Sequence, residues 1–417
     1  MLTYSATPLR LELLARLSQS RDETDRLFSI IKPSSQYDRP IPERNRIVFY
    51  IGHLEAFDWN LLRSHLGLDR FRPELDRLFA FGIDPVDGGL PTDQPSDWPS
   101  MTEIETYRSR IRRELDSALA DSSESDELIQ LMNIAIEHRL MHAETLEYMF
   151  HQLPFESKIA PVKGLNGSAV AVAPEMIQIP AGRITLGLAR NSGQFGWDNE
   201  FEEHSTDVRA FSIDKYKITN AQFIAFVEAG GYSKRSLWLP ADWDWKTEST
   251  ISHPVFWVPS PGGFRYRSMF DEIDLPMQAP VFVSHAEASA YARWTGKALP
   301  TEPEWHRASE GAKPPGDTRT LWDPPATGSS PESAGSYGVQ DLLGTGWEWT
   351  STLFEPFPGF QTVAAYPGYS ANFFDGKHFV LKGGSTRTAA CMLRKSFRNW
   401  FQPHYQYVYA GFRCVTH

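Results

Sequence analysis

The stretch ESDELIQLMNIAIEHRLMHAETLEYMFHQL, residues 124–153, decides how the first part of the chain is read. Its apolar residues recur at helical spacing; Ser125, followed by Asp126 and Glu127, makes a helix start, and Pro154 ends it. Inside this helix His138 and His142 stand four apart. Side chains at i and i+4 leave a helix from one face, a turn apart, so both imidazoles can reach one metal ion. Glu144, two residues on, points elsewhere and reads as a group that supports a ligand.

Working outward, residues 12–31 and 44–67 carry the same periodicity. His53 lies within IVFYIGHLEAF, an apolar run in which a lone polar residue needs a reason. Two helices of one bundle can bring His53 against His138 and His142, making a three-histidine facial site with open positions for substrate and oxygen. Imidazole suits iron, zinc or copper, and the spacing does not choose among them. By pattern alone, an H-x-x-x-H pair is more often two surface histidines, and a single histidine such as His53 a satisfied buried one. Residues 78–100 are rich in Pro, Gly and Asp and must form a long loop. The whole predicts a bundle of about four helices over residues 1–155, with one long connection. Residues 156–174, small and without period, read as a linker.

From about Glu175 the grammar changes. Gly, Pro and Trp become frequent, and the apolar runs shorten, as in MIQIPAGRITLG, FSIDKYKIT, HFVLKGGS and AGFRCV. Two short helices, NAQFIAFVEAGG and SHAEASAYARWTG, interrupt them. Residues 175–417 are therefore expected to form an irregular α+β domain held by loops and aromatics, not a doubly wound sheet.

Composition narrows the function. The 417 residues are 41% hydrophobic and 22% charged, which is globular and excludes a disordered or collagenous chain. With a net charge of −11 and no basic run, nucleic acid is a poor partner. Cys391 and Cys414 are the only cysteines, too few for a disulfide framework or a Cys-ligated zinc module. No stretch approaches the ~20 apolar residues of a membrane span, and the start lacks a signal peptide's apolar core. The expected compartment is the cytoplasm, with no membrane partner.

H-R-L-M-H-A-E, residues 138–144, resembles the H-x-x-x-H-x-E signature of the EgtB-like, ergothioneine-type sulfoxide synthases, which are nonheme iron enzymes. His53, in Y-I-G-H, stands where that family has its third iron ligand. F-G-W-D-N-E (195–200), I-T-N-A-Q-F (218–223), L-P-T-E-P-E-W (299–305), G-T-G-W-E-W-T (344–350), K-G-G-S (382–385), R-K-S-F-R-N-W (394–400) and A-G-F-R (410–413) resemble the formylglycine-generating-enzyme-like domain. The resemblance covers nearly the whole chain. It implies an α+β protein: an N-terminal DinB-like helical bundle followed by an irregular C-type-lectin-like domain. Formylglycine-generating enzymes proper need a close cysteine pair, whereas Cys391 and Cys414 are 23 apart; each is expected to be a small core residue.

The resemblance further implies Fe(II) on His53, His138 and His142, O2 as co-substrate, and hercynine, the trimethylated betaine of histidine, as the small-molecule substrate. The family's catalytic tyrosine falls at the first of a pair such as Tyr366 and Tyr369, so Tyr366 is the expected proton donor and Tyr369 a supporting hydrogen bond. Asn399 and Trp400 stand where the family grips the hercynine carboxylate, and Phe49 could face the trimethylammonium group. Arg413 and the Trp347–Trp349 pair read as structural.

Two departures bear on the substrates. Met141 replaces a glutamine that many members place against the imidazole. The donor loop, residues 80–99, carries Asp84, Asp87, Asp93 and Asp97 and no Arg, Lys or Tyr. These carboxylates would repel an anionic donor yet accept hydrogen bonds from hydroxyl groups, Asp84 and Asp87 being the expected contacts. Some of them can equally only build turns. Such a loop resembles the selenoneine synthase (SenA-like) branch, whose donor is a selenosugar. A cysteine-type thiol donor, as in ergothioneine synthesis, is the alternative. From other classes, a zinc-dependent DinB-type thiol transferase and a non-catalytic binding module stay open.

Overall fold

In a computed structural model, which describes residues 9–80, 90–161, 171–316 and 321–417, the N-terminal region is helical. Its elements are α1 (Leu9–Ser29), α2 (Ile47–Leu62), α3 (Pro73–Leu78), α4 (Met101–Asp121) and α5 (Asp126–Gln152). The Ser125 hydroxyl accepts the Leu128 N–H at 3.2 Å and caps α5. Asp126 and Glu127 in the first turn face the positive end of the helix dipole. The periodicity reading did not place α4, although Ile104, Tyr107, Ile111, Leu115 and Leu119 make its buried stripe. It is the helix that closes the bundle: α1 lies along α5, and α2 packs on both α4 and α5. α2 is buried on almost every side, which explains its nearly unbroken apolar run.

The chain divides into two compact units, Met1–Lys163 and Gly164–His417. The stretch expected as a linker begins inside the first. Lys158 Nζ donates to the carbonyls of Phe150 at 3.0 Å and His151 at 3.4 Å, and the Ile159 N–H donates to the Ile30 carbonyl at 2.7 Å.

The second unit is built from short strands. β1 (Met176–Ile179), β2 (Gly182–Leu186), β3 (His204–Val208) and β4 (Phe211–Asp214) precede the helices α6 (Asn220–Glu228) and α7 (Pro240–Glu248). Then follow β5 (Trp257–Ser260), β6 (Gly263–Arg267), β7 (Glu272–Asp274), α8 (His285–Trp294) and α9 (Glu302–Ala308). The unit ends with β8 (Trp347–Leu353), β9 (Phe379–Lys382), β10 (Asn399–Phe401), β11 (Ala410–Gly411) and β12 (Val415–Thr416). The sheets are small and of mixed chain order, β1-β4-β12, β10-β9-β8-β11, β2-β3 and β5-β6-β7. This is the α+β organisation expected, a helical first unit followed by a second of short strands with short helices between them.

Charge as well as apolar packing holds the second unit. Glu348 on β8 is fully buried between Arg413 Nε at 2.9 Å and Lys217 Nζ at 3.0 Å. Arg413 also donates to the carbonyls of Asp214, Lys215 and Gln340. Trp347 and Trp349 flank Glu348 and are buried, so the W-E-W run and Arg413 are structural as expected. The cysteines divide: both are free, Cys414 is core, but Cys391 is only half-buried, in a short turn rather than the core.

Candidate metal centre

His53 on α2 meets His138 and His142 on α5. Their ring centroids lie 5.3 and 4.9 Å from His53 and 4.5 Å from each other. One ring nitrogen from each lies within 4.8 Å of the others, and no second such group occurs among the described residues. The His138 and His142 Nε2 atoms are 3.2 Å apart. Two imidazoles at adjacent positions of one ion, each ~2.1 Å from it, would stand ~3.0 Å apart, so this separation fits shared coordination.

Their chemical state suits ligands too. His53 Nδ1 lies 2.7 Å from the Phe79 carbonyl oxygen; a carbonyl only accepts, so Nδ1 carries the proton. The Nε2 lone pair is thereby left bare, and that atom has no hydrogen-bond partner among the described residues. Burial pushes His53 down to about 4, against the pull of the Phe79 hydrogen bond. Burial, reinforced by the neighbouring histidines, puts His138 and His142 well below the ordinary imidazole range. All three are neutral at pH 7, which is the ligating form.

Aromatic rings wall the site. Phe57 stacks on His138 at 3.4 Å, and Phe49 stacks on His53 at 4.9 Å. Phe57 was not singled out from sequence, although it sits one turn after His53 on the same face. Phe49 is buried, with Tyr50 and Trp98 at its edges. Met141 is half-buried, and Glu144 is buried but lies outside the ligating group.

A residue between the two histidines of α5 ties that helix to α2. Arg139 is buried and reaches Asp58 at 2.6 Å, Glu55 at 3.2 Å and the Leu54 carbonyl at 2.9 Å, all on α2. Arg112 on α4 pairs with the same Glu55 at 2.6 Å and with Asp25 on α1 at 2.6 Å. Four helices are thus tied by one charge network beside the histidines. Sequence reasoning missed it, because charges four or more residues apart on separate helices give no local signal.

In the second unit the expected residues also gather. Tyr366 and Tyr369 have ring centroids 5.9 Å apart, and Tyr369 meets Trp400 edge-on at 5.4 Å. Trp400 stacks on Phe354 at 4.3 Å, and its backbone N–H donates to the Asn399 side-chain oxygen at 2.9 Å. Tyr369 is further pinned by Trp197, stacked at 3.9 Å. Asp198, next in the chain, accepts the Ser370 hydroxyl at 2.6 Å. The W-D-N-E motif therefore holds the tyrosine loop.

The donor loop gives a correction. Asp84 and Asp87 lie outside the described residues. Asp93 is no free carboxylate: Arg39 at 2.5 Å, Arg46 at 2.9 Å and the Trp98 N–H at 2.8 Å hold it. Burial opposes its ionisation, but these donors outweigh it and keep the carboxyl below its ordinary range. Asp97 accepts the Gln94 N–H at 2.7 Å and only closes a turn. The loop has no cation of its own, yet two arginines from the α1–α2 connection reach it.

A sulfatase-modifying factor enzyme 1-like domain matches residues 163–326 and 316–417. Over 446 aligned residues the chain is 32% identical to a hercynine oxygenase of Mycolicibacterium thermoresistibile, covering 99% of this chain and 96% of that protein. The chain belongs to the hercynine oxygenase family. A second member, from Mycolicibacterium smegmatis, is 31% identical over 97% of this chain and 98% of its own length. An ergothioneine biosynthesis protein 1 of Neurospora crassa is 26% identical over 91% of this chain, which spans 54% of that longer protein. The chain is accordingly an enzyme of an oxygenase family, and the helical region before the matched domain is the part that carries the histidines. No helix among the described residues is long and apolar enough to cross a membrane.

Proposed function

We propose that this enzyme joins a chalcogen to C2 of the imidazole ring of hercynine, with Fe(II) on His53, His138 and His142 and O2 as co-substrate. The observation that carries the reading is the convergence of three buried, neutral imidazoles in a chain whose relative over nearly its full length is named for action on hercynine. Bound iron would supply the O2 chemistry and hold donor and substrate side by side, since three protein ligands leave positions open.

The chain's own residues do the rest. Phe49 and Phe57 shield the ligands from water, and Phe49 is the proposed aromatic partner of the trimethylammonium group. Met141 offers no hydrogen bond to the imidazole, which leaves the ring held by its other contacts. Asn399 and Trp400 are the proposed carboxylate contacts. Tyr366 is the proposed proton donor, its phenol oriented by a loop that Trp197 and Asp198 pin.

For the donor we propose a selenosugar, which makes the product selenoneine. Asp84 and Asp87 remain the proposed hydroxyl acceptors. Arg39 and Arg46 are engaged by Asp93 and by the carbonyls of Arg44 and Tyr37, so an anionic donor would have to displace those bonds. The second reading, an ergothioneine-type sulfoxide synthase using cysteine or γ-glutamylcysteine, is favoured by the names of the relatives. Anaerobic loading with Fe(II), then hercynine with selenosugar, cysteine and γ-glutamylcysteine at equal concentration under air, decides between them by mass spectrometry. A dominant selenosugar adduct is expected. A dominant cysteine-derived sulfoxide returns the enzyme to sulfur, and zinc binding without O2 consumption overturns the iron reading altogether.

A further inference from the structure

Glycine is among the least favourable residues inside a helix, so Gly52, in mid-α2 and next to His53, needs a structural reason. The reason is Phe79. A Cβ built at Gly52 would stand 2.5 to 2.6 Å from the Phe79 ring atoms Cε1, Cζ and Cδ1. Carbon atoms in contact sit ~3.5–4.0 Å apart, so the ring would have to retreat by about 1 Å. That retreat meets other rings: Phe79 is fully buried, with Trp98 stacked on it at 6.1 Å and Tyr107 tilted against it at 6.2 Å. The same residue's backbone carbonyl receives the His53 Nδ1 proton at 2.7 Å.

We propose that Gly52 is a positioning residue for the metal centre. Its missing side chain lets the end of α3 close on α2, and that approach delivers the Phe79 carbonyl that fixes the tautomer and plane of His53. The inference rests on the reading of the three histidines as a metal site, and deepens it. A methyl group at residue 52 would move the carbonyl with its ring and stretch a 2.7 Å bond past hydrogen-bonding range. His53 would then be free to turn or to exchange tautomers, and outer-shell losses of this kind cost about 10- to 100-fold in metal affinity.

The test uses the full-length, metal-free protein titrated with Co(II) and with Zn(II) against a competing chelator, with the Co(II) visible spectrum as a second readout. Gly52→Ala is expected to bind both ions about 10- to 100-fold more weakly and to shift the Co(II) bands while its circular dichroism is unchanged. Gly52→Ala with Phe79→Val, which removes the three clashing ring atoms and keeps the carbonyl, is expected to restore binding to that of Phe79→Val alone. This pair decides the matter if the single variant does not fold. Wild-type affinity and spectrum in Gly52→Ala, with a higher melting temperature as removal of a helix glycine alone would give, overturn the inference, as does a double variant that stays weak. A wild type that binds neither ion overturns the metal-centre reading and this inference with it.

Discussion

Arg139→Met tests whether the charge network, rather than apolar packing alone, sets the register of α2 and α5. Arg139 is 1% exposed and Asp58 is fully buried, and their 2.6 Å bond is the shortest that Arg139 makes. Glu55 keeps Arg112 when Arg139 is lost, so the orphan is Asp58. Breaking one side of a buried pair costs ~3–5 kcal/mol, because the remaining charge is stranded. For a unit of about this size each kcal/mol is worth ~2–4 °C, so the helical unit should melt roughly 6–20 °C lower at pH 7. The pH dependence sharpens the test. Burial already raises Asp58 above its ordinary value despite Arg139, and removing Arg139 raises it further. A raised carboxyl binds its proton more tightly folded than unfolded, so stability falls as pH rises from the unfolded value of 3.8 through the folded one. The deficit of Arg139→Met should therefore be largest at neutral pH and shrink towards pH 4, and Asp58→Asn with Arg139→Met should recover most of it. Thermal unfolding of the metal-free chain, with hydrogen exchange read on α2 and α5, gives the numbers. A loss below about 1 kcal/mol at pH 7, or one that pH does not change, refutes the reasoning.

His138→Ala should abolish both stoichiometric metal binding and turnover; metal analysis that finds full iron with full activity removes the site assignment. Tyr366→Phe should still bind hercynine but yield less coupled product, as read by the ratio of product to O2 consumed. Asp198→Ala, which frees Ser370 and the tyrosine loop, should shift that ratio the same way while leaving the metal content intact; an unchanged ratio would show that the loop needs no clamp. In the second unit, burial outweighs Glu302 and brings Lys382 down to about 8 from 10.5, so the unfolded chain binds more protons in that window and stability rises with pH there. That contribution is ~3 kcal/mol across the window, and urea titrations from pH 8 to 10.5 should show the rise in wild type and not in Lys382→Met.

The sequence by itself determined the helical first half and the pairing of His138 with His142 on one face of a helix. A repeat of 3.6 is a local property, and two histidines four apart on one helix must share a face wherever that helix lies. It also showed the break in grammar near Glu175, because short strands joined by Gly, Pro and Trp cannot sustain a helical period. Only the tertiary structure decided that His53 faces that pair, since the rotation of α2 against α5 is set by contacts across the bundle, among them Arg139 with Asp58 and Glu55. It also reversed the reading of Asp93, whose partners Arg39 and Arg46 lie 54 and 47 residues away. And it gave Gly52 its meaning, because a missing side chain signals nothing until the ring that fills the space is in view. Local periodicity follows from backbone geometry along one segment, whereas charge pairing and close approach depend on which surfaces the fold brings together.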